Sequence, residues 1–132
     1  MVLTPHPSAP DNHKVIPLWI NGSAYPFSNN DTLFPITSSL SNKPLHYAIS
    51  STAETASKAC DAAATAFKTW RSTTPLHRRS LLLKAADIIE ARSQALAASQ
   101  IAETSCPQRF ADKNVQLGIS TLREVAAATS EI

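Results

Sequence analysis

Eight residues, Gln100 to Pro107, read "QIAETSCP" and contain one of only two cysteines in the chain. Cys106 stands beside Ser105 and three residues after Glu103, a grouping that invites a nucleophile with an acid-base partner. A reactive thiolate needs its charge stabilised by a helix N-terminus, a cation or a paired histidine. Here the periodic pattern before Cys106 places it at a helix C-terminal end, where the macrodipole disfavours an anion. Only Arg109 is a nearby cation, so a structural role outweighs a catalytic one. Cys60 falls on an apolar helical stripe between Ala56 and Ala63 and reads as a small core residue.

The four histidines are dispersed. His6 and His13 lie in an N-terminal arm, His46 in an extended segment and His77 in the first turn of a helix. None has a histidine four residues away or a neighbouring cysteine, so local spacing assembles no metal site. His77, Arg78 and Arg79 could meet a phosphate, yet a solvated helical face explains them as well. Lys84, Asp87, Glu90 and Arg92 likewise read as exposed charge beside a buried stripe. Phosphate-cradling loops need several glycines within a few residues. The chain has only Gly22 and Gly118, which excludes such a loop.

The elements that position these groups are few. The 132 residues suit one modest domain, and residues 1–16, with three prolines, form an expected flexible arm that leaves residues 17–132 to fold. Aromatic residues make up only 6%, and much of the apolar content is alanine, so the available core is small. A net charge of +2 gives no electrostatic case for nucleic acid or a membrane surface. No apolar run approaches the ~20 residues of a membrane span, no signal or transit peptide is apparent, and the cysteine usage suits a cytoplasmic protein.

"PLWINGSAYPF" centres on Asn21-Gly22, a hairpin signal. "TLFPITS" and "LHYAIS" add extended pieces, predicting a short meander from Trp19 to Ser50. The period then changes to that of a helix. Ser51 and Glu54 form a capping-box pattern, and Ala56, Cys60, Ala63, Phe67 and Trp70 recur on one helical face, with Trp70 expected in the core. Thr74-Pro75 starts a second helix, with Leu81, Leu82, Ala85, Ile88 and Ile89 as its buried stripe. A further segment runs from about Ser93 through Leu96 and Ile101 to about Glu103, and Pro107 stops it. A last helix spans roughly Ala111 to Ser130, with Val115, Ile119, Leu122 and Val125 or Ala126 inward and Gly118 weakening its middle. It reaches the chain end without a cap, as if more sequence followed. The fold class is α+β: a short N-terminal β-meander followed by three or four amphipathic helices.

"PLWINGSAYPF", "LFPITSS" and "AAATAFKTWRSTTPLHRRSLLLKAADIIEARSQALAASQIAET", in that order, closely resemble the N-terminal region of the aldehyde dehydrogenase superfamily. The resemblance covers roughly residues 17–130. It is carried by Phe67, Trp70, Arg78 or Arg79, Leu82, Ala86, Asp87, Ile89, Glu90 and Arg92 in register. The general look is closest to the fungal-type salicylaldehyde or vanillin dehydrogenases. Two departures stand out: Ser105 and Cys106 replace a typical glycine and lysine, and Thr37-Ser38 replaces an asparagine-proline turn. Some family members hold a structural cation near the positions of Thr37 and Glu103, but no ion is expected in this chain.

The resemblance implies the start of a cofactor domain with the Rossmann core absent. The family's catalytic cysteine, its oxyanion asparagine, its glutamate and its NAD(P) contacts lie beyond residue 132, so Cys106 is not the family nucleophile. No catalytic, cofactor-binding or metal residue is therefore expected within the chain, and no cofactor for the chain alone, although the parent family uses NAD(P). The expected function is that of a truncated, inactive aldehyde dehydrogenase-like protein, or one half of a split gene. The alternatives are a helical interaction module or a complementing subunit, with a full-length aldehyde dehydrogenase or a second copy as partner through exposed apolar helix faces. A role in a biosynthetic pathway for an aromatic aldehyde would fit the family.

Overall fold

The computed structural model describes residues 13–26 and 31–129. His6 and most of the expected arm lie outside these residues. The described chain divides into two compact units that meet in sequence between Trp70 and Arg71.

The first unit begins with β1 (Val15–Ile16), β2 (Trp19–Ile20) and β3 (Ser23–Ala24). β4 (Leu33–Thr37), β5 (Pro44–Ile49) and α1 (Ala53–Trp70) follow. β2 and β3 form an antiparallel ribbon of their own, with Trp19 opposite Ala24. Asn21 (φ 53°) and Gly22 (φ 77°) both occupy the left-handed region. Asparagine and glycine enter that region most easily, and the resulting turn matches the twist of the strands. The expected hairpin is therefore present.

The single meander from Trp19 to Ser50 is not. A separate three-stranded sheet has the order β1-β5-β4, with β1 parallel to β5 and β4 antiparallel to it. Val15 and Ile16, assigned to the arm from sequence, pair with Tyr47 and Ala48. Val15 is wholly buried. Parallel pairing joins segments distant in sequence, so two residues after a proline-rich stretch give no local sign of it. Pro35 sits on the edge strand β4, where a missing donor is tolerated.

The loop from β4 to β5 turns on Ser38. Its backbone N–H donates to the Lys43 carbonyl at 2.9 Å, and its Oγ accepts from the N–H groups of Leu40 and Ser41 at 3.3 and 3.4 Å. Proline, which the resemblance places here, has neither the N–H nor the hydroxyl. Asn42 completes the turn at φ 55°.

The N-terminus of α1 is capped one residue later than the capping-box pattern implied. Thr52 Oγ1 accepts from the Thr55 N–H at 3.1 Å, while Glu54 pairs with Lys58. No residue of α1 is fully buried. Ala59 and Ala62 are half-buried, whereas the expected stripe of Ala56, Cys60, Ala63, Phe67 and Trp70 is exposed. The period was right and the phase was not.

The second unit is helical: α2 (Pro75–Ala91), α3 (Ser93–Thr104) and α4 (Gln108–Ala128). α4 packs on both α2 and α3. Thr74 caps α2 by accepting from the His77 N–H at 3.2 Å, with Pro75 in the first turn as expected. Arg92 ends α2 and begins α3. The core consists of Ala86, Ala97, Ala111, Ile119 and Ala126. On α2, Leu82, Ala85 and Ile89 of the expected stripe turn inward, together with Leu83 and Ala86, while Leu81 and Ile88 are exposed. On α4, Val115, Ile119 and Leu122 turn inward as expected, and Ala126 does so in preference to Val125.

α3 ends on Ser105 in the left-handed conformation (φ 56°), its N–H donating to the Ile101 carbonyl at 2.8 Å. Glycine meets no Cβ penalty there, and serine does. Ser105→Gly is expected to raise stability by about 0.5–1 kcal/mol, the relief of strain exceeding the added freedom of the unfolded chain. Urea denaturation would check this through a higher midpoint at an unchanged slope.

Candidate functional site

Cys106 is half-buried and lies between two helix ends. Ser105 closes α3 before it, and Pro107 opens α4 after it. The sequence reading took account of the α3 terminus alone; α4 begins at Gln108, three residues earlier than expected, and sets a helix N-terminus on the other side. The two terminal dipoles oppose each other at this position. Cys60 is exposed on α1, which corrects its expected place in the core.

The histidines occupy separate places. His13 packs edge-on against Tyr47, with ring centroids 5.7 Å apart. His46 is in β5, and the His77 N–H is used in the α2 cap. Among the described residues, no group of three or more His, Cys, Asp or Glu side chains could hold a metal ion. Thr37 ends β4 and Glu103 lies in the last turn of α3.

Arg78 is not simply a solvated charge. Its Nε donates to Thr73 Oγ1 at 3.0 Å, and its guanidinium also donates to the Arg71 carbonyl at 3.2 Å. These bonds pin the loop that precedes α2. Asp87 and Glu90 are exposed as expected, but both receive Arg123 from α4, at 3.2 and 2.6 Å. The hydrogen bonds to Glu90 and Asp87 raise the Arg123 pKa further. Sequence reasoning missed this tie because Arg123 stands more than thirty residues from its partners.

The first unit contains an open groove of about 260 Å³. The turn from Trp19 to Gly22 forms one wall, and Ala59, Ala62, Ala63 and Ala66 of α1 form the other. Alanines on α1 allow the hairpin to approach closely. Nearby, Lys58 Nζ donates to Glu54 at 2.8 Å and reaches the Tyr25 hydroxyl at 3.5 Å. The groove carries no acid-base pair or nucleophile, so it is suited to packing and not to bond making.

Both glycines test whether a dinucleotide phosphate could be cradled here. A Cβ added at Gly22 or Gly118 would meet nothing within 4 Å. Gly22 serves a tight turn, and Gly118 lies in the middle of α4. The two stand in separate elements, so they do not form the glycine cluster of a pyrophosphate-binding loop. No helix among the described residues is long and apolar enough to cross a membrane.

Residues 27–132 match the aldehyde dehydrogenase family. The chain belongs to that family. A vanillin dehydrogenase from a Pseudomonas species is 35% identical over 117 residues, covering 89% of this chain and 24% of the relative. A salicylaldehyde dehydrogenase from Pseudomonas putida is 31% identical over 115 residues, covering 87% of this chain and 24% of its own length. The crystal structure of a salicylaldehyde dehydrogenase from Pseudomonas putida G7, complexed with salicylaldehyde, superposes with a TM-score of 0.83 at 29% identity, over 90% of this chain and 24% of that one. Lactaldehyde dehydrogenase from Escherichia coli shares the fold, with a TM-score of 0.85 at 22% identity over 89% of this chain and 24% of that one.

The chain thus spans about a quarter of the length of the aldehyde dehydrogenases it matches. These relatives are bacterial, which leaves the fungal-type expectation without support. The parent family uses NAD(P), and one structural neighbour, a benzaldehyde dehydrogenase from Corynebacterium glutamicum with a TM-score of 0.78 at 18% identity, is described as NAD-dependent; it covers 85% of this chain and 24% of its own.

Two measurements probe the local environments. Cys60 is expected to react with a maleimide before Cys106, because it is the more exposed of the two; preferential labelling of Cys106 by mass spectrometry would reverse that order. The hydrogen bond from Lys58, and then its charge, lower the Glu54 pKa. A lowered carboxylate pKa adds stability above the unfolded value that is lost as pH falls through the folded one. An NMR titration should therefore place the Glu54 midpoint below that of an ordinary glutamate, and Lys58→Met should return it.

Proposed function

We propose that these 132 residues are the N-terminal portion of an aldehyde dehydrogenase that oxidises an aromatic aldehyde of the salicylaldehyde or vanillin class with NAD(P), acting in the cytoplasm. The observation that carries this reading is the 35% and 31% identity to vanillin and salicylaldehyde dehydrogenases over almost the whole chain. On this reading the segment supplies no nucleophile, no acid-base group and no phosphate-binding loop. Its contribution is structural, as a surface on which the catalytic remainder is built. Neither Cys60 nor Cys106 attacks an aldehyde.

The purified chain, given salicylaldehyde or vanillin with NAD or NADP, is expected to form no reduced cofactor. Mixed with a Pseudomonas putida salicylaldehyde dehydrogenase polypeptide lacking its matching quarter, it is expected to restore turnover. Reduced cofactor from the chain alone would overturn the reading; activity that survives in a Cys60→Ala, Cys106→Ala variant would also show that neither thiol was its source.

The exposure of Phe67 and Trp70 favours a second reading, a non-enzymatic interaction module that docks through α1. Replacing both residues with serine would then abolish binding to the complementing polypeptide while leaving the second unit's helices intact by circular dichroism.

A further inference from the structure

The hairpin loop of the first unit sets two chemically matched groups side by side. Asn21 and Gly22 link Ile20 to its cross-strand partner Ser23, and both are exposed. The Asn21 side chain carries an amide carbon, and the next backbone nitrogen belongs to a residue with no side chain to screen it. A Cβ built at Gly22 would meet nothing within 4 Å, so no neighbour crowds that residue either. In an unconstrained chain such a pair closes a five-membered imide. The Gly22 nitrogen attacks Asn21 Cγ, the bond from Cγ to the side-chain nitrogen breaks, and ammonia leaves with the backbone amide proton. Water then opens the ring at either carbonyl, giving aspartate or isoaspartate, with no oxidation or reduction.

The folded turn holds the reacting groups apart. With Asn21 at φ 53° and Gly22 at φ 77°, both central residues have the positive φ of a type I′ turn. That turn is the mirror image of type I and sets ψ of its first residue at about +30°. Ring closure needs Asn21 Cβ eclipsed with the Gly22 nitrogen, whereas at this ψ the two lie nearly opposite across the Cα–C bond. Reaction therefore requires β2 and β3 to separate. Each of these strands is two residues long, extended by the Tyr25 N–H donating to the Leu18 carbonyl at 2.8 Å. A ribbon this short is marginal and opens locally. Asn42 provides the contrast: its φ of 55° is also left-handed, but Lys43 follows it, and the Lys43 N–H donates to Ser41 Oγ at 3.4 Å.

We propose that Asn21 is a site of spontaneous deamidation gated by opening of the β2–β3 hairpin. Aspartate keeps the turn, because Asp-Gly suits it as Asn-Gly does. Isoaspartate routes the backbone through the former side chain and lengthens the loop by a methylene, which breaks the pairing of Trp19 with Ala24. The wall that Trp19 to Gly22 present to α1 is then altered. Nucleophile, electrophile and gate all lie between Trp19 and Ala24, so the reaction stands apart from aldehyde turnover.

Peptide mapping of the full chain by mass spectrometry, after ageing in neutral buffer and in urea, tests it. Product is expected at Asn21 ahead of Asn42 and of Asn114 in α4. It should form slowly in buffer and, in urea, at the rate of a free peptide of residues 18–26. Ala24→Gly, outside the reacting bond, should speed the reaction in buffer about two- to fivefold by weakening the ribbon, and leave the rate in urea unchanged. Equal rates in buffer and urea overturn the proposal, as does an Ala24→Gly chain that reacts in buffer no faster than its parent. Conversion of Asn42 alongside Asn21 in buffer, or an Asn21 that stays intact there, overturns it too.

Discussion

Packing of α4 onto α2 and α3 is the constraint on which the second unit depends, and small side chains make it possible. Ala86, Ala97, Ala111 and Ala126 are almost wholly buried, with Ile119 the one large side chain among them. Alanine lets helix backbones approach closely and carries no side-chain entropy cost on burial. It also removes little area from water, so each contact contributes little. The unit adds polar ties at its margins: Arg123 holds Asp87 and Glu90 across two helices, and Arg78 secures the loop before α2. The pairs to Arg123 are exposed, and they orient the helices more than they stabilise them.

The first unit solves a different problem with the same material. Its helix, α1, faces a two-stranded ribbon across a groove lined by Ala59, Ala62, Ala63 and Ala66. A ribbon of that size cannot cover a stripe four turns long. Phe67 and Trp70 stay exposed as a result, and so do Phe110, Leu117 and Val125 on α4. Exposed aromatic and aliphatic side chains arranged along helices are unusual for a self-sufficient surface. They belong to a chain that spans about a quarter of its relatives' length.

The site chemistry follows from the same economy of elements. Catalysis by the aldehyde dehydrogenase family draws on groups from several segments brought to one place. Here the thiols, histidines and carboxylates are separated by the elements that carry them. Cys106 sits between opposed helix ends, His77 gives its backbone to a cap, and Glu54 is engaged by Lys58. What looked like chemistry in "ETSCP" is a helix-to-helix turn, with Ser105 supplying the left-handed residue and Pro107 the next start.

Local physics made much of this legible from the amino-acid order alone. Asn21-Gly22 specified a hairpin because those residues tolerate positive φ, and Thr74-Pro75 specified a helix start because one accepts a backbone N–H and the other lacks one. Pro107 marked a boundary for the same reason. The family was likewise readable, since its residues recur in register along the helices. The tertiary structure decided what depends on partners distant in sequence: the parallel pairing of Val15 with Tyr47, the division of the strands into two sheets, and the ties from Arg123. It also decided which side of α1 and α2 faces inward. A helical period states that a stripe exists, but its burial depends on what stands opposite, and in α1 a small ribbon chose Ala59 and Ala62 over Phe67 and Trp70.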